Sequence, residues 1–552
     1  MLFPTFDYLV FLVPILVAFW ALGHRPVARV LLLLLASYFF YMAGPKTDPP
    51  PTPWYFAGLL VFSTLLDYGV GHQIHLRTPK LHDPDPAVAA RARRGRNGFL
   101  LLSLVGNLGM LGYFKYVDFF VDTFADIAEL AGIPFVAPHI EVILPVGISF
   151  YTFQSLSYSI DVWRERLTPE PSLRKFALFV TFFPQLVAGP IVRANELLPQ
   201  LHRRPRLNPV MMEEGLFKIF KGLVKKVVLG DWIASQFTDA VFTNPGGYTS
   251  AELLLALYAF TVQIYADFSG YSDIAIGTSR LLGFHIPENF DRPYQARNLG
   301  EFWRRWHITL STWLRDYLFF PLGGSRGSSG RTYFNLWLTM FLVGMWHYTP
   351  GTSWNFVIYA NLHGLAMLYN RYNRTRRRDG PRGRRVAGTI AAALALGLCC
   401  GVAGELILDL ERSAALVCAG LGVGLFVLVT WLPLSGGPVN AFVHVVLTYH
   451  FTVLSRVFFR APDFPTAKAM VAGLLRFDTQ LVRPGLLGEW LWVALLLGTA
   501  YHFTPRAWVE HHLWGLFRRV PGPVLGLLLG LLGLGLMKLM AGAPRTFIYF
   551  NF

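Results

Sequence analysis

The chain has 552 residues, of which 53% are hydrophobic and 15% charged, with a formal net charge of +16 and a mean hydropathy of +0.42. Soluble globular chains are about a quarter charged, so a soluble enzyme hiding this much apolar sequence in one core is excluded. The three cysteines, Cys399, Cys400 and Cys418, all lie in apolar stretches and outline neither a disulfide framework nor a CxxC metal site.

The chain starts with an apolar stretch, FDYLVFLVPILVAFWALGHRP, that has no basic leader and no clear small-residue cleavage site. It reads as a first membrane helix rather than a removable signal. Further apolar helices are predicted near 28–43, 54–75, 98–121, 142–163, 174–192, 213–236 and 250–267, and again near 333–346, 352–370, 386–408, 412–432, 438–458, 487–503 and 520–541. Val386–Gly404, Ser413–Thr430 and Pro521–Met537 are nearly charge-free over 17 to 19 residues, enough to cross a hydrocarbon layer roughly 30 Å thick. Glycines and prolines inside several segments point to broken or re-entrant pieces, so the expectation is eleven to fourteen spans. No inverted repeat of the secondary-transporter kind is visible. The fold class is an all-α polytopic membrane protein.

The positive charge is concentrated between the apolar segments. Residues 77–96 carry Arg77, Lys80, Arg91, Arg93, Arg94 and Arg96, and residues 371–385 carry eight arginines against one aspartate. Short basic loops are retained on the cytoplasmic side and meet anionic membrane lipids there. No nucleic-acid-reading module accompanies them, so nucleic acid is not an expected partner.

Polar residues within apolar sequence mark either helix–helix contacts or a wet interior. TFQSLSYSIDVWR spaces Gln154, Ser157 and Asp161 by three and four residues, and FTVQIYADFSGYSDIAIG holds Gln263, Asp267, Ser269 and Asp273, with Gly270 a candidate helix break. Between 285 and 332 the sequence becomes polar, aromatic and basic together. Asn298 is placed to cap a helix with Glu301 at its third position. On that helix Phe302, Trp306, Thr309 and Trp313 share one side, and His307 adjoins Trp306. An interfacial anchor and an active-site segment both account for this mixture.

GMWHYTPGTSWNFVIYANLHG then sets His347 at the end of an apolar helix, with Pro350 and Gly351 interrupting the backbone and Asn355, Asn361 and His363 following. A buried histidine bonded to a helix-end carbonyl is one reading. A neutral imidazole is equally suited to act as a general base near pH 7. No nucleophile elbow, phosphate loop or zinc spacing is present. The residue chemistry points to proton transfer within a membrane cavity and does not name a substrate.

ILPVGISFYTFQSLSYSIDVWR, FFPQLVAGPIVRANELLPQL, IYADFSGYSDIAIGTSRLLGFHIPENFDRPY, FWRRWHITLSTWLRDYLFFPLGGSR and GMWHYTPGTSWNFVIYANLHG, in that order, resemble the membrane-bound O-acyltransferase (MBOAT) family in its bacterial alginate-type branch. FFRAPDFPTAKAM resembles that branch's C-terminal extension. The resemblance implies a helical bundle with a central tunnel and re-entrant or interfacial segments, in one transmembrane acyltransferase domain. Residues 98–371 would form the motif-bearing core and 386–552 a C-terminal extension.

The resemblance implies multi-pass insertion in a bacterial inner (cytoplasmic) membrane. It also implies acyl transfer, with acetyl expected, from acetyl-CoA or another cytoplasmic thioester to hydroxyls of an extracytoplasmic polysaccharide. No bound cofactor or metal is expected. A periplasmic or membrane-anchored SGNH-like acyltransferase is the implied partner. His347 matches the family's catalytic histidine and His307 its second histidine. Asn298, Trp306, Tyr348, Asn355, Gln154 and Asp267 are supporting candidates. Tyr348 replaces a glycine common after the catalytic histidine, and Arg456 stands where an aromatic residue is common. The alternatives are D-alanyl or other acyl transfer to an envelope polymer, and a non-catalytic role in polysaccharide export or transport.

Overall fold

The computed structural model describes residues 3–43, 54–135, 138, 142–348, 353–379 and 437–540, and among these there are helices but no strands. The expected spans at 386–408 and 412–432, the interruption at Pro350 and Gly351, and residues 380–385 of the arginine-rich stretch lie outside the described residues. The chain divides into two compact units, Met1–Val228 with Asp267–Asn289 and His511–Phe552, and Leu229–Ala266 with Phe290–Glu510.

Among the described residues three helices are long and apolar enough to cross a membrane: Pro86–Glu129, Ser250–Leu281 and Pro438–Arg460. The bent pair Arg506–Arg519 and Gly522–Leu536, kinked by 116°, makes a possible fourth. Two of the expected spans lie outside the described residues, and several of the others are shorter or more broken than expected. Phe6–Ala21 and Pro26–Met42 are 16 and 17 residues long. The stretch at 174–192 breaks at Phe182, ahead of Pro184, into Leu173–Thr181 and Phe183–Leu186. The stretch at 213–236 changes from α-helix to wider π-turns over Lys225–Trp232. Apolar side chains such as Leu35, Val439 and Leu496 remain 66–76% exposed. Leucines and valines left on a helix exterior belong in a lipid environment.

In the first unit, helices Ala57–Arg77, Pro86–Leu130 and Ile148–Trp163 pack together around one buried carboxylate. Asp67 accepts from Ser103 at 2.5 Å, Ser159 at 2.6 Å and Asn107 at 2.8 Å. A buried carboxylate with three donors is satisfied where a lone one would be costly. The basic stretch 77–96 is mostly helical rather than a loop, because Asp85 caps Pro86–Leu130 through the Ala87 amide at 2.8 Å. Arg96 on that helix is buried and pairs with Glu165 at 3.0 Å.

The helix Ser250–Leu281 runs unbroken through Gly270, contrary to the expected break. The absent side chain serves packing instead. A Cβ on Gly270 would lie 2.7 Å from the Gly222 carbonyl oxygen, and one on Gly277 would lie 2.5 Å from that of Gly215. Glycines here let two backbones touch.

In the second unit, Ser329–Met345 and Ser353–Asp379 form a tight pair and Pro438–Arg460 packs on the latter. Arg371 and Arg374, from the start of the arginine-rich stretch, simply continue the helix Ser353–Asp379. The predicted helix through Phe302, Trp306, Thr309 and Trp313 is two short ones, Leu299–Arg305 and Ile308–Leu314. The break is at His307, in the left-handed region at φ 44°, ψ 56°. The four named residues are buried all the same, so the apolar face is real although the helix is not continuous.

Candidate active site

The helix Ser329–Met345 starts with the Ser328 hydroxyl accepting from the Arg331 amide at 3.3 Å. Its C-terminal end delivers His347 in a tight turn, with the His347 amide donating to the Gly344 carbonyl at 3.0 Å. That turn follows a close approach of the paired helices, since a Cβ on Gly344 would sit 2.3 Å from the Ala360 Cβ. His347 is 2% exposed, and its ring meets Phe459 with centroids 5.4 Å apart and planes at 62°. Tyr348 is fully buried beside it.

Phe459 belongs to an aromatic wall with Phe356 and Tyr359, at 5.6 and 5.1 Å. Against this wall lies Arg456, 1% exposed. Its guanidinium carbon is 5.1 Å from the Phe459 ring and 4.8 Å from the Trp306 ring, and it donates to the Tyr359 hydroxyl at 3.4 Å. Trp306 stacks on Phe302 at 5.7 Å and meets Phe290 edge-on at 5.1 Å. His307 follows directly, fully buried, its ring 6.4 Å from Phe290 and near-parallel to it. Burial pulls the His307 imidazole down to about 3, so it is neutral at physiological pH.

One path of contacts therefore runs from Trp306 through Arg456 and Phe459 to His347. The sequence marked both ends and flagged Arg456, but gave no reason to join them. Their separation in the chain, 150 residues between Trp306 and Arg456, hid the contact.

His363 is buried, with Nε2 3.1 Å from the Ser455 hydroxyl and its ring 4.5 Å from Tyr359. Asn298 caps its helix as expected, its Oδ1 accepting from the Glu301 amide at 3.0 Å. The Glu301 carboxylate reaches the Arg297 amide at 3.1 Å, one residue earlier than a capping box requires. Asn355 donates both amide hydrogens to the chain, to the carbonyls of Ala461 and Asp463 at 3.1 Å each. It anchors the end of Pro438–Arg460 to the helix that follows His347.

Gln154 and Asp267 belong to the first unit, the histidines to the second. Gln154 donates to the Phe179 carbonyl at 2.5 Å, and Asp267 pairs with Lys226 at 2.5 Å. Asp273 is surrounded by Lys225, Lys221 and Lys218 at 2.8, 3.3 and 3.6 Å. These lysines recur at helical spacing through 218–226, beyond the polar clusters that the apolar sequence singles out.

A further buried imidazole, His502, was also missed. Its Nε2 accepts the Tyr294 amide at 3.1 Å and its ring packs on Tyr265 at 4.4 Å. Among the described residues no three His, Cys, Asp or Glu side chains converge to hold a metal ion.

Residues 134–401 match the family model of MBOAT, the membrane-bound O-acyltransferase family. Probable alginate O-acetylase AlgI of Azotobacter vinelandii is 42% identical over 373 residues, covering 66% of this chain and 68% of that protein. The chain belongs to the membrane-bound O-acyltransferase family. Its AlgI relative from Pseudomonas aeruginosa is 41% identical over 377 residues, 67% of this chain and 66% of the relative. A peptidoglycan O-acetyltransferase of Helicobacter pylori is 35% identical over 380 residues, 64% and 66% of the two chains. The chain thus spans about two thirds of the length of the relatives it matches. Family membership and the helical architecture together make it an all-helical, multi-pass membrane protein.

Proposed function

We propose that this O-acyltransferase moves an acetyl group from a cytoplasmic acyl thioester to hydroxyls of an extracytoplasmic envelope polysaccharide, with His347 as the general base. The supporting observation is the placement of His347, a buried imidazole held by a helix-end turn against Phe459, with the Arg456 guanidinium carbon 5.1 Å from the same ring.

In this reading the acceptor oxygen attacks the thioester carbonyl carbon while His347 takes the hydroxyl proton. The carbon–sulfur bond then breaks, the thiolate leaves, and the imidazolium returns the proton to sulfur. The products are an acetyl ester and a free thiol. General-base assistance contributes about 10²–10⁴-fold, and a water-poor setting limits hydrolysis of the thioester. Neutral His307 fits a role in orienting the acceptor. The donor is acetyl-CoA and the membrane is the bacterial inner membrane. The acetyl group passes to the polymer directly or through an SGNH-like extracytoplasmic partner. Relatives named for alginate and peptidoglycan support an envelope-polymer acceptor.

The test is acetylation of glycan acceptors by purified protein supplied with radiolabelled acetyl-CoA, with a D-alanyl carrier thioester as the competing donor. His347→Gln should abolish transfer while leaving membrane insertion and abundance unchanged. Transfer at near wild-type rate by that variant removes the assigned role.

A further inference from the structure

The first unit contains a cavity of about 580 Å³ whose lining includes Arg29, Arg174, Lys175, Arg203 and Arg204. Five formal positive charges meet there, and no aspartate or glutamate stands among the described lining residues. The volume lies in the range of small-ligand sites. A basic rim alone is ordinary on a protein of charge +16. Two further features set this one apart.

The first is Arg29, which is 5% exposed although it carries a full charge. Its guanidinium carbon lies 4.5 Å from the Phe19 ring, and Nη1 reaches the Gly23 carbonyl at a long 3.4 Å. Nε is buried with no hydrogen-bond partner among the described residues. A buried guanidinium donor with no acceptor is costly, and arginine is the side chain best shaped to grip a phosphate with paired N–H groups.

The second is the way the neighbouring cations are held. Arg204 donates to His24 Nδ1 at 2.6 Å, and Lys175 donates to His202 Nδ1 at 2.7 Å. Imidazole nitrogens hold both head groups in place. The carboxylate nearby, Glu170, is taken by the other nitrogen of His202 at 2.6 Å. The two head groups are held in place, and among the described residues no carboxylate pairs directly with Lys175 or Arg204.

We infer that this cavity is a phosphate-binding site, in which Arg29 at the wall and Arg204 and Lys175 at the rim grip a phosphate or pyrophosphate group. Two sources carry that chemistry, a soluble phosphorylated molecule and the headgroup of an anionic phospholipid. The site is independent of the chemistry assigned to His347.

Full-length protein in detergent is titrated with inorganic pyrophosphate and with adenosine 3′,5′-bisphosphate. In a second arm it is reconstituted in nanodiscs of phosphatidylcholine with or without phosphatidylglycerol, and tightly held lipid is read by mass spectrometry. Saturable binding of either soluble probe, weakening as salt is raised, identifies a soluble ligand. Retention of phosphatidylglycerol over phosphatidylcholine identifies a headgroup.

In either case Arg204→Glu and Lys175→Glu, both on the rim and not needed for packing, should weaken binding by at least about tenfold. Arg29→Gln should do the same where it folds, and His347→Gln should bind as wild type. The inference is overturned when neither phosphate source binds, or when the two rim variants bind as tightly as the wild type.

Discussion

The guanidinium of Arg456 lies over the indole of Trp306, 4.8 Å from the ring centroid, with almost no exposure to solvent. A desolvated cation–π contact of this kind contributes about 2 kcal/mol, and the same guanidinium lies 5.1 Å from Phe459, the ring that touches His347. Arg456→Lys keeps the charge but loses the plane, so it should lower the unfolding midpoint and reduce acetyl transfer at least several-fold. Arg456→Trp replaces the cation with a flat apolar group and should retain more stability than Arg456→Ala. Thermal unfolding in detergent, run beside transfer assays, orders the three. A lysine variant indistinguishable from wild type in both measurements would contradict a role for the guanidinium plane between the two rings.

The position of His347 depends on Gly344. A Cβ there meets the Ala360 Cβ at 2.3 Å and its backbone Cα at 2.5 Å, and neither can rotate away. Gly344→Val should therefore push apart the helices Ser329–Met345 and Ser353–Asp379, costing about 3 kcal/mol or more as overpacking and abolishing transfer without altering any reacting group. Gly364→Ala, whose nearest contact is a Trp337 side-chain atom at 3.2 Å, should be mild. Comparison of the two unfolding midpoints checks this.

The sequence revealed the helices because apolar runs are a local signal, and it revealed His347 because an imidazole in such a run is conspicuous. It did not reveal where runs would break. The π-turns begin at Lys225 and the left-handed residue is His307, so neither break starts at a proline or glycine that the sequence would mark. Gly270 carried the opposite lesson, since a residue that reads as a helix breaker is used for backbone contact with Gly222. Gln154 and Asp267 stood out as polar residues in apolar sequence, yet such residues are recognisable one at a time while their partners, Phe179 and Lys226, are not.

His307 separates backbone from ring. Asparagine tolerates the left-handed region, whereas a β-branched residue there costs about 1–3 kcal/mol. His307→Val should thus lose both stability and transfer, and His307→Asn chiefly transfer. The ring also sets a pH dependence. Its folded value of about 3 lies below the ordinary 6.5, so the unfolded chain binds the extra proton between these limits. The contribution of neutral His307 to stability is complete above pH 6.5 and is lost as pH falls toward 3. Unfolding midpoints across that window should fall less steeply for His307→Asn than for wild type. Equal slopes would show that the ring does not carry the effect.

Asp273 holds three lysines, at 2.8, 3.3 and 3.6 Å, and Lys218 is shared with Glu288 at 2.6 Å. Removing the carboxylate leaves buried cations facing one another, which costs about 3–5 kcal/mol when one partner of a buried pair is lost. Asp273→Asn should therefore destabilise the protein strongly. The cost comes from the charges left behind, so a second change that removes one of them should restore part of the loss. Lys225 is the best choice, being the nearest to Asp273 and 8% exposed. Asp273→Asn combined with Lys225→Met should unfold at a higher temperature than Asp273→Asn alone, and Lys225→Met alone should cost less than Asp273→Asn because two cations still face the carboxylate. Additive losses in this double-mutant cycle would mean that the lysines are neutralised by some other group, and that Asp273 is not the counter-charge that lets them be buried.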